Sequence, residues 1–162
     1  MNINKINIKV GIDFGKTIGL TEEEEPYPNC IDVIRFLRNR YGVENIFIIS
    51  KARQQMRLKI TAWLNRIKFF ETTNILRENL IFCNDYVDKT KIVERLGINV
   101  FIDDHIKVIQ SMVGLKQIKM MIWFNKKVDI KLIEKQYRPK IVITNRWDRI
   151  VKIFHKIDLI LN

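Results

Sequence analysis

The 162-residue chain predicts an α/β fold in which helices cover both faces of a mainly parallel sheet. Three observations carry that expectation. Short runs of Ile, Val and Phe alternate with longer segments of helical periodicity. Several of the runs, such as Ile46-Phe47-Ile48-Ile49, are apolar at every position, as strands buried on both faces are. No internal repeat, linker or low-complexity tail interrupts the pattern, so a single domain over residues 1–162 is expected.

The first strand is read from Ile6, Ile8, Val10 and Ile12, which alternate with other residues and lead to Asp13. Residues 14–28 form a polar excursion punctuated by Gly and Pro. Asn29 then suits the cap of a helix over 30–41, with Ile31, Val33, Ile34 and Leu37 on one stripe and Gly42 at its end. A second strand over 46–49 ends on Ser50. Helical spacing of Met56, Ile60, Trp63, Leu64 and Ile67 predicts a helix over 53–67. Leu80-Ile81-Phe82-Cys83 reads as a third strand, followed by a helix over 89–96 that Gly97 stops. The fourth strand, 100–102, ends on Asp103-Asp104. A helix over 105–113, a fifth strand over 118–124 and a helix over 129–136 come next. The brief run Ile141-Val142-Ile143 precedes a closing helix with Trp147, Ile150, Val151, Phe154 and Ile157 on one face. These elements amount to a three-layer, Rossmann-like sandwich.

Composition narrows the function classes. Hydrophobic residues make up 47% and charged residues 29%, ordinary for a globular protein. No apolar run reaches membrane-spanning length, and the Asn- and Lys-containing N-terminal residues lack the apolar region of a secretory leader. Cys30 and Cys83 match no metal or redox spacing, which suits reduced thiols in a cytoplasmic protein. A formal net charge of +11 fits a polyanionic partner, although the basic residues are scattered rather than blocked.

Chemistry gathers at the strand ends. Parallel strands place their C-terminal tips along one edge, so Asp13, Ser50 and the pair Asp103-Asp104 can converge on one crevice with Lys89. Three carboxylates suit a hard divalent cation such as Mg²⁺. A hydroxyl and an ammonium suit a phosphoryl group held against that cation. The neighbouring Gly15-Lys16-Thr17 imitates the end of a nucleotide P-loop, but the required upstream glycine falls on Val10. The residues that follow include four consecutive glutamates, which would repel phosphate.

Asp13-Phe14-Gly15-Lys16-Thr17, Ile48-Ile49-Ser50, Lys89 and Phe101-Ile102-Asp103-Asp104 together resemble the four motifs of the haloacid dehalogenase superfamily of phosphohydrolases. The likeness covers about residues 5–125, with Lys91 an alternative for the lysine. The acidic pair and its spacing from Lys89 are similar to the deoxyribonucleotidase-like branch. The resemblance implies that Asp13 attacks phosphorus and that Mg²⁺ is held by Asp13, the Gly15 carbonyl and Asp104, with Asp103 in support. It implies phosphoryl binding by Ser50, Lys89, Lys51, Thr17 and the backbone of Phe14 and Gly15. Where the family carries its second aspartate, the general acid, this chain has Gly15. Loss of a positioned general acid costs about 10²–10⁴-fold, and Lys16 and Lys51 are the nearby replacements by sequence. The intervals between motifs leave no room for a large cap domain. In this family an open site goes with large substrates or with a cap lent by another subunit. The expected partner is therefore a phosphorylated substrate, either a nucleotide or a polynucleotide end, with no membrane involved.

Overall fold

The computed structural model describes the backbone of residues 8–161 and the side chains of residues 8–157. Six strands, β1 (Val10–Ile12), β2 (Ile46–Lys51), β3 (Leu80–Cys83), β4 (Val100–Asp103), β5 (Met120–Phe124) and β6 (Ile141–Thr144), form one sheet in the order β3-β2-β1-β4-β5-β6. Every pairing is parallel. The α-helices are α1 (Cys30–Tyr41), α2 (Gln54–Arg66), α3 (Phe69–Thr73), α4 (Tyr86–Leu96), α5 (Ile106–Met112) and α6 (Trp147–Leu161). The expected Rossmann-like sandwich is the fold observed.

Strand alternation divides the core in two. Ile46 and Ile48 face the layer of α1, α2, α3 and α6, whereas Phe47 and Ile49 face α4 and α5. Val10, Ile12, Val100 and Ile102 join the first cluster; Phe101, Met121 and Trp123 join the second. Gly11 is what lets β1 fit. A Cβ at that position would lie 2.4 Å from the Phe101 ring on the paired strand, so that ring occupies the space a side chain would fill.

Several boundaries differ from the sequence expectation. In strand one, Ile6 and Asn7 fall outside the described residues; Ile8 is buried in the core but precedes β1. Asn29 does not cap α1 with its side chain. Its backbone sits at φ 64°, a left-handed conformation that Asn tolerates. The helix over 89–96 starts earlier, at Tyr86, because Asp85 accepts from the Asp88 amide at 2.8 Å and caps it. A further short helix, α3, fills what read as a loop. The expected helix over 129–136 is absent; two 3-10 turns, Ile130–Leu132 and Lys135–Lys140, stand there. Ile133 between them is extended and 2% exposed, so burying its side chain interrupts the helical path, and Pro139 cannot donate a backbone hydrogen bond. Among the described residues, no helix is long and apolar enough to cross a membrane. Cys30 and Cys83 are both free and buried.

Candidate active site at the switch point of the sheet

In this strand order the chain winds outward in opposite directions from β1 and β4, leaving a crevice at the C-terminal ends of those two strands. Ile12 and Ile102 are in register, and the Asp13 amide donates to the Ile102 carbonyl at 2.9 Å. That pairing sets Asp13 beside Asp103. From α4, Lys89 reaches down between them. Its Nζ donates to Asp13 Oδ1 at 2.5 Å and to Asp103 Oδ2 at 2.7 Å. The lysine is 1% exposed, and its ammonium lies 5.3 Å from the centre of the Phe101 ring that Gly11 accommodates.

Asp103 is spent on internal bonds, since its Oδ1 also accepts from the His105 amide at 2.8 Å. Asp104 differs. Its backbone carbonyl accepts from Trp123 Nε1 and Asn125 Nδ2, but its carboxylate makes no hydrogen bond among the described residues. Oxygens of Asp13, Asp103 and Asp104 all lie within 4.8 Å of one another. Such a cluster of hard oxygen donors fits Mg²⁺. Asp13 and Asp104 have carboxylate oxygens left to offer an ion, whereas Asp103 is bonded to Lys89 and the His105 amide.

Burial pushes the Asp13 carboxyl up to about 6; Lys89 opposes that rise and Asp103 adds to it. Burial also raises Asp103, against the pull of Lys89. Asp104 is raised by burial first and by Asp13 second. For Lys89 burial favours the neutral form, but Asp13 and Asp103 more than offset it, and the net shift is upward. The lysine therefore stays charged.

The crevice holds about 240 Å³ and is lined by Asp13, Phe14, Gly15, Ser50, Lys51, Lys89, Asp103 and Asp104 among others. Ser50 is buried at the end of the central run of β2. Lys51 is exposed at the mouth, its Nζ 4.1 Å from the centre of the Tyr86 ring. Thr17 is not brought to the crevice. It is fully buried, its carbonyl accepts from Trp147 Nε1 at 2.8 Å, and its hydroxyl has no hydrogen-bond partner among the described residues. Lys16 lines a neighbouring groove rather than the crevice, and Lys91 is exposed on α4 without lining the crevice. Gly15 has an ordinary backbone conformation, and a Cβ there would meet nothing nearer than Asp13 Oδ2 at 4.0 Å.

Among the crevice residues that escaped sequence reasoning are Tyr86 and His105, whose rings lie 4.9 Å apart between centres. His105 Nδ1 accepts from the Lys107 amide at 3.2 Å and so caps α5. Its position directly after the acidic pair was the available signal.

No protein-family model matches the chain. The comparison with curated proteins likewise finds no match. Among solved structures, the chain is similar to a de novo designed Rossmann 3x3 fold protein determined by solution NMR. The TM-score is 0.52 at 16% identity, with 90% of this chain and 92% of that one covered. That likeness establishes the Rossmann-like architecture.

Proposed function

We propose that the chain is a Mg²⁺-dependent phosphohydrolase of the haloacid dehalogenase type, working through an aspartyl-phosphate on Asp13. The observation that carries the proposal is the buried Asp13–Lys89–Asp103 ion cluster with the unengaged carboxylate of Asp104 beside it. Burying three such groups is costly for a fold and is characteristic of sites that use them.

Asp13 Oδ1 is held by Lys89, leaving Oδ2 as the attacking oxygen. At neutral pH the carboxyl, at about 6, is mostly ionised. Oδ2 bonds to phosphorus while the ester P–O bond breaks, and the leaving oxygen departs with the electron pair and takes up a proton. Water then attacks the acyl-phosphate, releasing inorganic phosphate and restoring the carboxylate. Lys89 keeps a fixed positive charge against the phosphoryl group throughout, and Ser50 lines the place where phosphoryl oxygens sit. Asp13 and Asp104 would hold Mg²⁺, with the Gly15 carbonyl as the third ligand that the motif resemblance implies. The ion, when bound, neutralises and orients phosphoryl charge.

The absence of a carboxylate at position 15 favours a second reading, a module that holds phosphate or a partner without turnover. Phosphate release from a panel of aryl, acyl and alkyl phosphates, with and without Mg²⁺, separates the two. Metal-dependent release that Asp13→Asn abolishes supports the hydrolase. Binding of phosphate and metal with no release from any substrate supports the module.

A further inference from the structure

We propose that the groove beside the crevice seats a single-stranded nucleic acid, so that its terminal phosphate enters the crevice and its neighbouring nucleotides run out past β5 and β6. This rests on the phosphohydrolase reading and adds to it a substrate class and a direction.

Size comes first. The crevice, at about 240 Å³, is filled by a phosphoryl group and its surroundings, whereas the adjoining groove offers about 690 Å³. Leu20 and Asp104 line both, so the two spaces adjoin at those side chains. The remainder of a substrate held at Asp13 therefore has a place to go.

Charge gives the direction. Lys16, Lys126 and Lys127 line the groove, are exposed, and take part in no ion pair among the described residues. A fourth cation, Arg146, is paired with Asp148. Thr21 and Glu22 line the crevice, and the exposed run Glu22-Glu23-Glu24-Glu25 continues from there along α2, where the Glu23 carbonyl accepts from Trp63 Nε1 and Arg66. A polyanion is repelled by the glutamates and attracted by the lysines, so its path follows Lys126 and Lys127 rather than α2. The groove also carries an aromatic side chain. Tyr27 is half-buried with its ring 15° from parallel to that of Phe124, at 6.5 Å between centres. Cations following a backbone beside an aromatic face are the equipment of single-strand binding, and they favour a nucleic acid over an acidic peptide.

The test is fluorescence anisotropy in magnesium-free buffer. Its probe is a labelled, terminally phosphorylated oligothymidylate of roughly ten nucleotides, within the span of single-strand sites. If Lys126 and Lys127 each contact a phosphate, the variant carrying Lys126→Ala and Lys127→Ala flattens the slope of log affinity against log salt by about 1.4. It also weakens binding, while hydrolysis of a small aryl phosphate is unchanged. Lys116→Ala with Lys119→Ala, at the opposite edge of the sheet, leaves the slope as it was. An unaltered slope in the first variant, or an equal loss in the second, overturns the proposal. So does tighter Lys126- and Lys127-dependent binding of an acidic phosphopeptide. Oligonucleotide binding that depends on Lys126 and Lys127 without any aryl phosphate turnover supports the groove and refutes the hydrolase instead.

Discussion

A lysine ammonium closed between two carboxylates is stable only while all three groups keep their partners. For Asp13 burial outweighs even that partner, and its proton affinity is raised from 3.8 to about 6. The sign follows from linkage. Between about pH 4 and 6 the folded chain holds this proton and the unfolded chain does not, so this group's contribution to stability falls as pH rises through the window. Metal-free wild type should therefore lose melting temperature relative to Asp13→Asn from pH 4 to 6 and run parallel to it above. Wild type gaining on the variant across that window would mean the carboxyl is depressed, not raised. Gly15 is the other decisive residue. Its backbone is unstrained and the space beside Asp13 Oδ2 is open, so an aspartate can be accommodated there. Gly15→Asp should raise turnover of alkyl phosphates by part of the ~10²–10⁴-fold that general acid catalysis supplies, and that of activated aryl phosphates much less. Steady-state rates on the two substrate classes check it. A folded variant no faster on alkyl esters would show that a crevice residue already delivers the proton. Lys51 and His105, which line the crevice, then come before Lys16, which does not.

At the scale of elements, β1 and β4 bring the site together, and Gly11 sets how closely. The Phe101 ring fills the space over Gly11 and lies beneath the Lys89 ammonium, linking strand packing to the position of the charge. Gly11→Ala should force that ring aside at a cost of about 1–3 kcal/mol, measured by urea unfolding, and should lower turnover through Lys89. An unchanged unfolding midpoint would show that the ring shifts freely. The strands and most helices were legible because apolar runs and 3.6-residue periodicity report burial directly. What misled was local. Residues 129–136 carry helical spacing, yet Ile133 is used as an anchor in extended backbone. The motif lysine seemed to open its helix because the Asp85 cap precedes it by four residues. Thr17 stood in the motif but is consumed in packing under Trp147.

For the whole molecule, the Rossmann-like order explains why residues as distant in sequence as Asp13, Lys89 and Asp103 meet: each lies at or near a strand's C-terminal edge on either side of the switch point. That convergence was readable from the order of strand-end residues. Tyr86 was not, because it does not depart from what helix starts ordinarily contain, and His105 was marked only by its place directly after the acidic pair. Nor was the groove, which is assembled from stretches of chain far apart in sequence. Under the proposed function, the glutamates beside the open crevice and the lysines of the adjoining groove let charge guide a phosphorylated substrate. The central claim is that Asp13 itself carries the phosphoryl group. Rapid mixing with an aryl phosphate and Mg²⁺, an acid quench and mass spectrometry of the peptide containing Asp13 address it directly. The account predicts a peptide heavier by one phosphoryl group, with the added mass on Asp13, formed within the first turnover and absent from Asp13→Asn. Turnover with no phosphorylated peptide at any quench time, or with the phosphoryl group on another residue, would contradict it.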